Sequence, residues 1–482
     1  MTEQEREGQQ IGADQWVARA EELVERRRGI AGALESSWKR LPPPAQLLAV
    51  AGAAAIFGSA TSNGYYLRVG VNTLIYALLA VGLNVVVGWA GLLDLGYVAF
   101  FGFGAYSYAF LSSGQFGAHW PSLASLPVIV VACALLGLFV GLPSRRLLGD
   151  YLAIVTLFFG QIFYVLVNNA DRITLPWKSQ PTDITGGPNG IAGVDNLSFL
   201  GIHVTTVRGY YYVALVIFSV VVAALWLVNN SRTGRAWRSL REDPLAAQLL
   251  GMPINPLKLT AFAFGAAIAG LTGTVFAALQ AGVFPNNFYL DLLITVYAMV
   301  ILGGAGSLGG VVLGAIAINV TLEILRTPGN ARELFYVVIA IALVKWVRPW
   351  WVLTAVAGAT VGLGFAVHAI VTAAWPSGTH PSPLGPQSQT MKVWVVELTR
   401  PDRVGSFAYV ALIAAVLGVV ALKGHLRTIA LAPLIYLAAF VWENKLVLEP
   451  SVTRLIFLGA LLVALMNVRP QGLLGTSRVE IA

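Results

Sequence analysis

An all-α polytopic membrane protein is the fold class this sequence predicts, and three observations predict it. Apolar residues make up 57% of the 482 residues and charged residues only 11%, where a soluble protein carries roughly 25% charged. The apolar residues gather into about fourteen stretches separated by short loops. Lysine and arginine concentrate in alternate loops, as the positive-inside rule expects of a multi-pass chain. A soluble core of this size would need far more charged surface, so the solvent implied is a bilayer.

Taken in order, residues 1–42 stand apart, with eight acidic and seven basic residues. An acidic start is the wrong chemistry for a secretory signal. Trp16, Val17, Ala20, Leu23, Val24, Ile30, Leu34 and Trp38 recur at helical spacing. Residues 14–40 therefore read as an amphipathic helix lying on the membrane surface, in contact with lipid, or against a partner. Pro42, Pro43 and Pro44 end it, so 1–44 is the first unit.

Apolar stretches follow near 45–61, 69–89, 93–112, 124–141, 151–168, 210–228, 259–282, 288–304, 308–325, 334–347, 351–374, 406–422, 428–442 and 453–467. Several are shorter than the ~20 residues a straight span needs, which points to broken or re-entrant segments. With both termini cytoplasmic, the inside segments hold 20 of the 31 lysines and arginines. Without the N-terminal tail the balance is 13 to 11, and it is the greater length of the outside loops 169–208 and 375–404 that makes the inside denser in basic charge.

This distribution accounts for the net charge of +8 without nucleic acid. Cys133 is the only cysteine, which excludes disulfide frameworks and cysteine metal sites. The five histidines are scattered, with no pair at metal-ligand spacing. No catalytic cluster stands out at one depth, and no pair of charges within the apolar stretches suggests ion coupling.

The most informative loop is 231–258, SRTGRAWRSLREDPLAAQLLGMPINPLK. Arg232, Arg235, Arg238 and Arg241 hold it at the cytoplasmic side. Asp243, after Glu242, is an N-cap whose carboxylate accepts from exposed N–H groups. Pro244 suits the first helical position, Gly251 the left-handed residue past the end, and Pro253 the stop. About two turns remain, presenting Leu245, Leu249 and Leu250 beside Ala246 and Ala247, a shape suited to a partner's groove.

The pattern Ala246-Ala247-x-x-x-Gly251 resembles the coupling loop of ABC importer permeases, with Leu245 where an acidic residue is usual. Segments 88–100 (GWAGLLDLGYVAF), 151–157 (YLAIVTL), 184–191 (ITGGPNGI), 301–309 (ILGGAGSLG) and 469–475 (RPQGLLG) resemble, in order, the M-type permease of high-affinity branched-chain amino acid transporters. That resemblance implies a bacterial inner-membrane importer subunit that is not itself an enzyme and binds no cofactor directly. It implies a second, similar permease, two ATPase subunits that use the ATP, and an external substrate-binding protein. Arg241, Glu242, Asp243, Pro244, Ala246, Ala247, Leu250 and Gly251 become the ATPase-coupling residues. The chain itself carries no phosphate loop of the Gly-x-x-x-x-Gly-Lys-Ser/Thr type. A urea or short-amide permease and an ion-coupled secondary transporter are the alternatives.

For the pathway the candidates are Asp94, Tyr97, Gly303, Gly304 and Gly306. A carboxylate at membrane depth is costly, although Asp94 also falls where it can cap the next helix. The glycines either line a pore or permit close packing. Asp291 and Glu323 lie near span ends and read as snorkelling or locally bonded. Residues 185–190 form a turn-rich external loop suited to a binding-protein dock.

The chain departs from the family in length. Residues 334–349 echo 455–470 at an offset of 121, ending in Val-Arg-Pro both times. About ten core spans therefore occupy 45–333 and the terminal unit 453–482, and 334–452 is an insertion carrying about four more.

Overall fold

The computed structural model describes residues 43–143, 149–171, 183–199, 201–347, 350–379, 394–396, 398, 401–422, 425–446, 450–468 and 472–474. The expected N-terminal amphipathic helix, Arg348-Pro349, Arg469-Pro470 and the tail beyond 474 lie outside them.

Helix α1 (Pro43–Ala60) leads into α2 (Gly64–Leu83), which Asn63 caps by accepting from the Tyr65 N–H. α2 runs on into a π-helical turn, Asn84–Trp89. After an irregular link come α3 (Tyr97–Leu111), α4 (Ser122–Gly141) and α5 (Gly149–Asn169). α6 (Val207–Asn230), the short α7 (Arg232–Glu242) and α8 (Pro244–Leu249), and the long α9 (Ile254–Gln280) follow. Then come α10 (Leu290–Gly303), α11 (Leu308–Ile324), α12 (Pro328–Trp346) and α13 (Trp350–Ala374). The last three are α14 (Pro401–Ala421), α15 (His425–Val441) with a second π-helical turn at Trp442–Leu446, and α16 (Pro450–Val468).

Each apolar stretch of the sequence falls on one of these helices. Among the described residues nine are long and apolar enough to cross a bilayer, or ten if α11 and α12 form one broken span. The apolar parts of α1, α3 and α16 are shorter. The protein is a multi-pass, all-α membrane protein.

Four two-residue strands, which the sequence does not betray, tie one end of the bundle. β1 (Ile191–Ala192) pairs antiparallel with β4 (Gly282–Val283), and β2 (Ser198–Phe199) with β3 (Ile202–His203). Gly186, Gly187 and Gly190 all have positive φ in the turn-rich loop before β1. A Cβ at Gly190 would overlap the backbone at Val283 and Phe284, so this loop is sewn onto the start of the α9–α10 link.

The main core surrounds α9. Lipid is as apolar as leucine, so close packing has to hold such helices together. The small residues Ala261, Gly265, Ala266, Ala269, Gly270 and Gly273 supply it. A Cβ on Gly270 would meet Cys133 of α4, one on Gly104 of α3 would meet Gly270, and one on Gly273 would meet Phe101. Cys133 is thus a buried packing residue.

A second, smaller core joins Leu325 and Ala331 to Val441, Trp442 and Leu446, with Phe335, Tyr409 and Phe457 packed against it. This core holds a charged pair, Arg332 and Glu443, whose members stand just outside the apolar stretches 334–347 and 428–442. Arg332 of α12 donates to both carboxylate oxygens of Glu443 at 2.7–2.9 Å, both side chains being buried. The partners are 111 residues apart, beyond the reach of any local pattern. α16 returns to the main core, where Leu458, Leu461 and Leu462 pack.

Candidate functional site

The 231–253 loop folds as its punctuation dictates. Ser231 caps α7 by accepting from the Gly234 N–H. Arg235 and Arg238 donate to the carbonyls of Asn230 and Asn229, which α6 leaves unpaired at its end. Asp243 caps α8, its Oδ1 accepting from the N–H groups of Leu245 at 2.8 Å and Ala246 at 3.0 Å. Pro244 stands at the first helical position. Gly251 has φ +80°, and the Met252 N–H returns to the Ala247 carbonyl at 3.0 Å to close the helix.

The result is a rigid knob. Ala247 is buried against the body, while Glu242, Asp243, Pro244, Ala246 and Gly251 are exposed. Leu245, Leu249 and Leu250 are 73%, 89% and 81% exposed, three leucines left uncovered among the described residues.

Beneath the knob lies a seat that sequence reasoning missed. Trp237 of α7 is fully buried, stacks on Trp89 with centroids 6.3 Å apart, and donates to the Leu257 carbonyl at 2.9 Å. Arg241 reaches inward, its Nη1 donating to the carbonyls of Gly88 and Ala305. Asn84 accepts from the Gly306 N–H at 2.7 Å, and Trp89 donates to the Gly306 carbonyl at 3.0 Å. The only sequence signal for these partners was a lone asparagine and a tryptophan at the end of an apolar stretch.

Gly303, Gly304 and Gly306 meet the same seat. Gly303 lies against Gly310, so it serves close packing of α10 on α11. Gly304 and Gly306 take φ of +102° and +97° in the link. Leu473 and Leu474 donate to the carbonyls of Leu302 and Gly303, bringing residues 472–474 to this end of the bundle.

Asp94 and Tyr97 are fully buried in and after the 90–96 link. Irregular backbone at this depth is tolerable only if protein groups satisfy it. Tyr297 of α10 does so for Asp94, accepting from its N–H at 3.1 Å and donating to its carbonyl at 2.6 Å. Thr156 of α5 accepts from Leu95, and Asp94 Oδ1 accepts from the Gly96 N–H at 3.0 Å. That bond closes a local turn onto Gly96, the residue before α3, and α3 itself receives no side-chain cap, so Asp94 is not the helix cap expected of it. Its Oδ2 and the Tyr97 hydroxyl have no hydrogen-bond partner among the described residues.

Asp291 is exposed in the first turn of α10, and Glu323 accepts from Tyr65 at 2.7 Å, as span-end positions permit. Among the described residues no three histidine, cysteine, aspartate or glutamate side chains converge as metal ligands would.

Bundled apolar helices with a buried backbone interruption, and a structured loop beside it that presents an exposed apolar face, define the class as a multi-pass membrane component. Residues 65–347 match the family described as the branched-chain amino acid transport system permease component, and the chain belongs to that family. It is 37% identical over 300 residues to the high-affinity branched-chain amino acid transport permease LivM of Escherichia coli, covering 58% of this chain and 67% of the relative. The LivM of Salmonella typhimurium is 38% identical over the same shares. A probable LivM of Methanocaldococcus jannaschii is 27% identical over 222 residues, 42% of this chain and 60% of that one. No solved structure matches.

Proposed function

We propose that the chain is the pore-forming subunit of an ATP-driven importer of leucine, isoleucine and valine in a bacterial inner membrane. The observation that carries this reading is the capped helix α8, whose three exposed leucines stand on a buried seat bonded to two interrupted membrane segments. Burying those leucines in a partner's groove is worth roughly 4–9 kcal/mol before ordering costs, enough for a docking contact.

In this reading two ATPase subunits bind α8 of this chain and of a second, similar permease, and an external binding protein delivers the amino acid. The α8 end faces the cytoplasm, in keeping with the basic loops. Closing of the ATPases on ATP moves α8 and switches the pathway between outward and inward access. Asp94 and Tyr97, with one unpaired polar atom each in an apolar interior, are the candidate pathway groups. The relatives' names favour branched-chain amino acids over urea or short amides.

Affinity purification in mild detergent from the native host tests the reading. Recovery of a second permease with ATPase subunits, and ATP-dependent leucine uptake by the complex in liposomes, is expected. Recovery of the chain alone, with uptake driven by an ion gradient, would overturn it. The buried Arg332–Glu443 pair favours no such rival, because three guanidinium bonds and the Tyr336 hydroxyl saturate the carboxylate.

A further inference from the structure

We propose that Arg241 is a positioning residue that turns displacement of the docking helix into movement of the pathway, by pinning two broken membrane segments together. The inference rests on the importer reading and assigns its mechanical link.

The first segment is the π-helical turn Asn84–Trp89, and the second is the link 304–307 between α10 and α11. Regular helices keep their carbonyls occupied, whereas π turns and tight links release some. Gly88 and Ala305 each offer such a carbonyl, and Arg241 Nη1 donates to both. A planar, permanently charged guanidinium suits that task better than a flexible ammonium.

The two segments are also bonded to each other. Asn84 accepts from the Gly306 N–H, and Trp89 donates to the Gly306 carbonyl. With the Trp89–Trp237 stack, α7 and both breaks form one body. It has no slack: a Cβ at Gly91 would stand 2.9 Å from Arg241 Cγ, and one at Gly306 2.6 Å from its Nη1.

Two routes lead from this body to the buried carboxylate. The chain runs from Trp89 to Asp94 in five residues, and α10 runs from the 304–307 link back to Tyr297, which grips both backbone groups of Asp94. A shift of α8, one residue beyond the Asp243 that follows Glu242, pulls on Arg241 and therefore on both routes at once. Were the contact merely a staple, its loss would lower stability without changing how ATP use and transport are matched.

The test measures ATP hydrolysed per leucine imported by the full complex in proteoliposomes, for wild type, Arg241→Ala, Arg241→Lys and Trp89→Phe. Arg241→Ala is expected to raise the ratio about tenfold and Arg241→Lys to restore part of the match. Trp89→Phe keeps the ring stack but loses the Gly306 bond, and is expected to raise the ratio about threefold. Should Arg241→Ala fail to assemble, Trp89→Phe decides. A wild-type ratio in either assembled variant overturns the pin. Absence of ATP-dependent uptake in wild type would instead bring down the importer reading.

Discussion

The two cores are held by opposite means. Around α9 the helices meet through glycine and alanine, and about two-thirds of the apolar length of α2 and of α9 is buried inside the protein. In the 334–452 region the buried share is 6% for α14, 17% for α13 and 33% for α15. Among the described residues that region is tied by specific contacts: the Arg332–Glu443 pair, the Phe335–Trp442 stack at 4.2 Å, and Asn444 bonded to the backbone of Val396 and Leu398. Close packing needs many small residues in register over whole helices. A few strong polar contacts can join two helical units without matching the whole of either surface.

Substitutions that act differently on the two cores can break this contrast. Gly270→Leu should have the largest effect, since its side chain must displace Cys133 and the α3 backbone. A loss of about 3 kcal/mol or more is expected from such overpacking, seen as loss of the monodisperse peak in detergent. A normal peak and melting temperature would show that the main core is looser than its glycines imply.

Next comes Glu443→Ala, which strands a buried guanidinium at about 3–5 kcal/mol. The damage should stay local. Proteolysis near 350–446 is expected to rise while uptake by the complex persists, and the paired Arg332→Met, Glu443→Leu variant should recover most of the stability. Loss of uptake in step with proteolysis would make the second region integral to transport.

A smaller effect on stability is expected from Leu249→Glu combined with Leu250→Glu, because both side chains are exposed. Uptake should fall about tenfold with no change in melting temperature. Retained uptake would remove the docking role of α8.

The smallest effect separates shape from bulk at Gly251, whose φ of +80° strains any side chain although nothing lies within 4 Å. Gly251→Ala should cost about 1 kcal/mol, and Gly251→Trp should add an uptake defect only if a partner sits there. Equal defects in both would assign the effect to the backbone alone.

What was legible in the sequence was local or periodic. The spans announce themselves through composition, and α8 through Asp243, Pro244 and Gly251, whose partners lie within a few residues. What was not legible depends on distant pairs. Arg241 reads as one of four loop arginines, and nothing in its neighbourhood says that it reaches a carbonyl 153 residues away. The π turn at Asn84–Trp89 hides within an apolar stretch, because an extra residue per turn leaves no compositional mark. Asp94 was visible as a costly carboxylate, whereas Tyr297, which fixes its backbone, looked like any span aromatic.

The bonds from Leu473 and Leu474 to Leu302 and Gly303 carry a consequence for biosynthesis. About 170 residues separate donors from acceptors, which at 5–20 residues per second is about 10–30 s of translation. Throughout that interval the end of α10 holds two carbonyls whose final partners have not yet been made. Water, the translocation machinery or a temporary occupant has to satisfy them, since lipid offers no donors. The long stretch of chain between them thus acts as a delay line, postponing closure of this end of the core.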